Sequence, residues 1–241
     1  MRQPQIRSTR GLEAETQAML QGLRHRNDAA RYCESSSLQA GIELIGVPGA
    51  EGEAEVVALT IAALDAAGLR RHRVGVGDGA LYRGLLTSFG VAEEAHLPLL
   101  ETLSRRDLVG LEGQVDALGL EQEKRDLLVR LPQTRGSADV LGDTPGLEGL
   151  RTLNEQLERR GVADRVIYDL GLVRELGYYT GSIFEVYDPA VGFTLGGGGR
   201  YDELIGRFGR DLPACGVGLD VQRVHLAQAA EESVGAEEQQ A

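Results

Sequence analysis

The stretch Leu38-Gln39-Ala40-Gly41-Ile42-Glu43-Leu44-Ile45 decides how the fold is read. Leu38, Ala40, Ile42 and Leu44 alternate with Gln39, Gly41 and Glu43, and a period of two belongs to a β-strand with one apolar and one polar face. Pro48-Gly49 ends the run. Glu51, Glu53 and Glu55 then crowd a helix start, where acidic groups suit the dipole. Val56, Leu59, Thr60, Ala63 and Leu64 carry that helix to a stop at Gly68. Further out, 72–77 predicts a strand and 79–89 a helix, and 92–161 reads almost wholly helical with breaks at Pro132, Gly136 and Pro145-Gly146. Strands return at 166–170, 178–187, 193–195 and 213–219, and Asp220 can cap a last helix carrying Val221, Val224 and Leu226. Upstream, 9–25 predicts a helix with Leu12, Met19 and Leu23 on one face, followed by a polar, turn-like stretch to Ser37. Strands at both ends of a helical middle predict an α+β fold with a largely antiparallel sheet flanked by helices. One domain is expected over 1–230, with 92–161 as an intervening helical segment and 231–241 as a disordered acidic tail.

Composition narrows the function classes. The 241 residues carry a net charge of −12, which repels phosphate backbones, so nucleic acid is not an expected partner. Hydrophobic residues at 42% and charged residues at 26% are ordinary globular values. No apolar run approaches the roughly 18–20 residues of a membrane helix, and the first residues lack the apolar centre of a secretory signal, so a cytoplasmic protein without membrane contact is expected. Cys33 and Cys215 are too few for a disulfide framework or a cysteine metal site, and His25, His72, His96 and His225 show no metal-binding spacing. Lys124 is the only lysine, so cationic roles fall to arginine.

Three constellations could carry chemistry. Gln39 and Glu43 share one strand face, where an amide and a carboxylate side by side could grip an ammonium or imidazole; the same pattern also serves a solvated sheet face. Arg174 precedes Tyr178-Tyr179-Thr180-Gly181, and in an extended chain one tyrosine would enter the core while the other offers its hydroxyl to a pocket. An ordinary aromatic strand fits equally. Gly196-Gly197-Gly198-Gly199-Arg200-Tyr201-Asp202 lies between two strand-like segments; its glycines would let a ligand lie directly on the main chain, or simply form a flexible hairpin. No lysine-bearing phosphate loop follows them.

Taken in order, these segments resemble the catalytic core of the histidyl-tRNA synthetases and of their paralogues, the regulatory subunits of ATP phosphoribosyltransferase. Residues 38–46 look like the end of class II motif 2. Arg174-Glu175-Leu176-Gly177-Tyr178-Tyr179-Thr180-Gly181 looks like the first histidine signature and Gly198-Gly199-Arg200-Tyr201-Asp202 like the second, while 213–223 sits where motif 3 belongs. The resemblance implies a class II aminoacyl-tRNA synthetase-like fold and a histidine site made of Gln39, Glu43, Arg174, Tyr178, Tyr179, Thr180, Gly199 and Tyr201, with no metal and no cofactor.

Departures from the synthetase pattern point to the paralogue. The stretch before the strand, Arg31-Tyr32-Cys33-Glu34-Ser35-Ser36-Ser37, has no arginine next to the strand to hold an α-phosphate, and Asp220 stands where motif 3 normally has glycine. Arg223 matches the motif 3 arginine. The family's motif 1, and its segment with an acidic group for the ligand's amino group, would fall before residue 1, and an anticodon-binding domain after the last residue. What the resemblance then implies is a non-catalytic regulatory subunit, with no catalytic residues of its own. It would bind the short-form catalytic subunit of ATP phosphoribosyltransferase in the first step of histidine biosynthesis and take L-histidine as feedback ligand. A divergent or truncated synthetase-like protein, active in amino-acid activation or degraded, is the alternative.

Overall fold

A computed structural model describes residues 38–173 and 178–238. The helix expected over 9–25, the stretch 31–37, Cys33 and Arg174 lie outside the described residues. In chain order the elements are β1 (Gln39–Ile45), α1 (Gly49–Ala67), β2 (Arg73–Asp78), α2 (Leu81–Ser88), α3 (Glu93–Ser104), α4 (Leu108–Ala117), α5 (Gln122–Arg130), β3 (Arg135–Gly136), α6 (Glu148–Arg159), β4 (Val166–Asp169), β5 (Ser182–Tyr187), β6 (Thr194–Arg200), β7 (Ala214–Asp220) and α7 (Val221–Glu238).

All seven strands join one sheet in the order β1-β7-β6-β5-β2-β4-β3, antiparallel throughout except between β2 and β4. This is the expected mixed, mostly antiparallel architecture flanked by helices. Residues paired across antiparallel strands point to the same side of a sheet. On one side the register therefore collects Val74, Val76, Tyr168, Phe184, Val186, Cys215, Val217 and Leu219, all buried. α1 packs on β1, β7, β2 and α6. Its Val56, Val57, Ile61 and Leu64 are buried, each stabilising by roughly 1.5–3 kcal/mol over the exposed state. Gly68 stops α1 in the left-handed region at φ 101°, its N–H bonded to the Asp65 carbonyl.

The helical middle forms as expected, with α6 presenting Leu150, Leu153 and Leu157 to the core and its buried Asn154 accepting from the Tyr168 hydroxyl at 3.1 Å. Gly136, read as a helix break, also pairs with Tyr168 in the two-residue edge strand β3.

Three expectations are corrected. The strand expected over 178–187 begins only at Ser182, because the β5–β6 ladder ends at Ile183 opposite Gly199 and Tyr179 crosses over Gly199. The glycine run is itself the centre of β6 and no hairpin, since β5 and β7 hold it from both sides. The tail expected from 231 continues α7 through Glu238, and the Glu231 carboxylate accepts from the Arg70 and Arg71 N–H groups at 2.8–3.0 Å.

Candidate functional site: a glycine-floored cleft

The sheet face opposite the core carries the site. Register places Gly41, Gly218 and Gly197 in one row across β1, β7 and β6, and Glu43, Gly216 and Gly199 in the next. Five of these six positions have no side chain, so the backbone itself floors a shallow cleft. Two of the glycines are required by close approach. A Cβ at Gly199 would stand 2.7 Å from Tyr179 Cδ1, and one at Gly216 would run into the Glu43 carboxylate. Gly218 is different: a Cβ there would meet nothing and would enter the open cleft.

A cavity of about 380 Å³ lies over the Gly197–Gly218 part of this floor, lined by Gln39, Tyr178, Tyr179, Asp220 and Arg223 together with residues 194–197 of β6 and Gly218 of β7. The row of Glu43, Gly216 and Gly199 is its neighbour in the sheet. The three tyrosines form one aromatic wall. Tyr178 and Tyr179 have ring centroids 4.5 Å apart, and Tyr201 meets Tyr178 edge-on at 6.0 Å. The Tyr201 hydroxyl donates to Glu43 Oε2. Desolvation raises the Glu43 carboxyl above its ordinary pKa. At this end of the cleft a carboxylate and a phenol thus stand together, able to take the two nitrogens of an imidazole or one ammonium.

The opposite end is set by the start of α7. Asp220 Oδ1 caps that helix, accepting from the Gln222 and Arg223 N–H groups at 3.0 and 3.1 Å. Arg223 donates to the Thr194 carbonyl at 2.8 Å, lies over the Phe193 ring at 5.7 Å and approaches Asp220 at 3.8 Å. Among the described residues, the one cation lining the cavity is therefore engaged with a carboxylate and a carbonyl.

Beneath the floor, Arg200 points to the core side and is buried. It donates to Glu53 Oε1 at 2.7 Å, to Asp202 Oδ1 at 2.8 Å and to the Gly49 carbonyl at 2.5 Å. Burial works against its charge, but the hydrogen bonds and fields of Glu53 and Asp202 outweigh it, so the guanidinium stays firmly charged.

Of the residues singled out in the sequence, Gln39, Glu43, Tyr178, Tyr179, Gly199 and Tyr201 come together here, and Arg174 lies outside the described residues. Thr180 serves the scaffold: its N–H donates to the Arg200 carbonyl at 2.8 Å and its hydroxyl accepts from the Asp202 N–H at 3.0 Å. Two details differ from expectation. Gln39 and Glu43 share a face, but four strand steps separate them by about 13 Å, so they flank a ligand from opposite ends instead of gripping one group side by side. Both Tyr178 and Tyr179 join the aromatic wall and neither enters the core, because the chain has left the strand there and face alternation no longer applies. Sequence reading gave no site role to Thr194 or Gly218; it took Gly197 only as part of the glycine run, and Asp220 and Arg223 as motif 3 positions and not as part of the histidine site. Alternation along 214–220 paired with alternation along 39–45 is the signal that could have found Gly218 and Asp220. Cys215 lies buried under the floor, its thiol pushed up to about 12 by desolvation, and is chemically quiet.

A family model described as histidyl-tRNA synthetase matches residues 21–224. The chain belongs to the histidyl-tRNA synthetase family. Within that family it is 42% identical over 225 residues to an ATP phosphoribosyltransferase regulatory subunit of Symbiobacterium thermophilum, covering 89% of this chain and 56% of the relative. It is 38% identical over 210 residues to a protein of the same name from Desulfitobacterium hafniense, covering 82% of this chain and 55% of the relative. A solved ATP phosphoribosyltransferase regulatory subunit/histidyl-tRNA synthetase from Bacillus halodurans superposes with a TM-score of 0.74 at 34% identity, covering 79% of this chain and 53% of the other. The chain spans about half the length of these relatives.

Proposed function

We propose that this chain is a non-catalytic regulatory subunit of ATP phosphoribosyltransferase that holds L-histidine in the glycine-floored cleft and reports to the short-form catalytic subunit. The family relatives carry that name. The observation that carries the reading is the contrast between the two ends of the cleft. The Glu43–Tyr201 end keeps a carboxylate and a phenol suited to a histidine side chain, while at the other end the cation Arg223 is bound to Asp220 and to the Thr194 carbonyl. Glu43 with Tyr201 and Tyr179 would take the imidazole, Gln39 would face the ammonium from the far end, and Arg174 would hold the carboxylate.

The rival reading, amino-acid activation with ATP, needs preorganised cations around the α-phosphate, and removing one such donor commonly costs orders of magnitude in rate. Asp220 presents the opposite charge at that end. A net charge of −12 likewise opposes binding of tRNA. A cytoplasmic place follows from the biosynthetic role; no helix among the described residues is long and apolar enough to cross a membrane.

A sensor without chemistry of its own acts through differential binding to its partner's states. Mixing the purified chain with the short-form catalytic subunit tests this. Phosphoribosyltransferase activity should rise on mixing and fall when histidine is added. Unchanged activity, with no complex sedimenting at micromolar concentration, contradicts the assignment.

A further inference from the structure

Asp202 touches nothing in the cavity, yet three segments that build the cleft meet at it. Its Oδ1 accepts from Arg200 Nη1 at 2.8 Å and from the Ala214 N–H at 3.1 Å, and its own N–H donates to Thr180 Oγ1 at 3.0 Å. The chain on either side is held as well: the Thr180 N–H donates to the Arg200 carbonyl and the Tyr201 N–H to the Ala214 carbonyl, both at 2.8 Å. Thr180 directly follows the two tyrosines of the aromatic wall, and Tyr201 lies between Arg200 and Asp202. Arg200 is anchored in turn by Glu53 and the Gly49 carbonyl of α1, an ion pair with both side chains below a tenth exposed. Side chains that do not move with solvent make good fixed references for a neighbouring site.

We propose that Asp202 is a positioning residue: through Arg200, Thr180 and Ala214 it fixes the Tyr178–Tyr179 segment and Tyr201 relative to each other, and so aims the Tyr201 hydroxyl at Glu43. The proposal rests on the reading of the cleft as a histidine site only for its effect on affinity; its effect on Tyr201 is independent of any ligand. Asp202 brings the three segments together directly: its carboxylate takes both Arg200 and the Ala214 N–H, and its own N–H reaches Thr180. An Asn of the same shape keeps one acceptor oxygen but loses the charge that holds Arg200, so Asp202→Asn loosens the joint without emptying space.

The test uses the full chain with ring-labelled tyrosine and no ligand. In the native protein, Glu43→Gln should shift the Tyr201 ring resonances, which identifies the hydroxyl contact. Asp202→Asn should shift the same resonances while the circular-dichroism spectrum and the signals of Tyr82, Tyr168 and Tyr187, which lie outside the cleft, stay native. Tyr201 resonances unmoved in Asp202→Asn overturn the proposal, whatever histidine does. The second arm is a double-mutant cycle on histidine affinity. Asp202→Asn and Tyr201→Phe should each weaken binding several-fold, and the double variant should bind no more weakly than Tyr201→Phe alone. A double variant that shows the product of the two single losses means Asp202 acts elsewhere than through Tyr201, and the positioning role fails. Should the native chain take up no histidine, the histidine reading falls while the ring resonances still decide the role of Asp202. If Asp202→Asn proves unfolded, Thr180→Val, which removes the hydroxyl acceptor from the other side of the joint, is read by the same resonances against the same two outcomes.

Discussion

At the scale of the residue, the cleft is defined by side chains that are missing as much as by those present. Gly218 shows this best, because its backbone is ordinary extended strand and the space above its Cα is the cavity itself. Gly218→Val therefore meets no steric obstacle in the fold, and a β-branched residue suits a central strand. Thermal stability should be unchanged or slightly higher, while histidine affinity drops at least tenfold as the isopropyl group takes the ligand's place. Paired melting curves and titrations read both quantities; a stable Gly218→Val protein that binds histidine like the native chain would move the ligand off this floor. Gly199 and Gly216 behave otherwise, since Tyr179 and Glu43 already fill the space a side chain would need. The two kinds of glycine look alike in sequence and differ only in what the register sets above them.

At the scale of the element, α7 joins fold and site. Asp220 ends β7, pairs across the sheet with Gln39 and caps α7 by two backbone hydrogen bonds. Asp220→Ala should destabilise the chain by about 1 kcal/mol, the usual cost of an N-cap, and at the same time release Arg223 from its carboxylate. Urea unfolding measures the first effect. No loss of stability would mean that the cap is redundant with packing along the helix. Elements were legible in the sequence wherever one physical rule acted alone. The alternation of 38–45 gave β1, the acidic start and Gly68 gave the ends of α1, and Asp220 announced α7. Reading failed where tertiary contacts overrule local preference. A run of four glycines has no intrinsic reason to be strand, and becomes one because β5 and β7 both offer it hydrogen bonds. Tyr178 and Tyr179 look like a strand start, but the packing of Tyr179 across Gly199 takes them out of the ladder. Gln39 and Glu43 were legible as residue types and as a shared face, whereas their separation along the strand emerges only from the rise per residue.

At the scale of the whole molecule, pH and ligand probe the structure together. His72 is fully buried beside Arg165, and desolvation, followed by the Arg165 charge, pushes its pKa down to about 4. The native state then holds fewer protons than the unfolded state between about pH 4 and the ordinary 6.5, so this group makes stability rise with pH through that window and lets it fall on acidification. Asp188, raised to about 6 mainly by burial, works in the opposite sense over an overlapping range, because its native carboxyl keeps a proton that the unfolded chain has lost. The comparison that separates them is native against His72→Asn by urea unfolding at pH 5 and pH 7. The gain in stability from pH 5 to pH 7 should be larger in the native chain by about 2 kcal/mol, whatever the variant's overall stability. Equal gains would show that His72 takes up its proton in the folded protein over the same pH range as in the unfolded chain, against a lowered pKa. The histidine site itself is tested most directly by calorimetric titration of L-histidine into the native chain and into Glu43→Ala. Saturable heat from the native chain, with affinity weakened by about 1–3 kcal/mol in the variant, is the predicted result. Equal affinities in the two proteins, or no heat from the native chain, would contradict it.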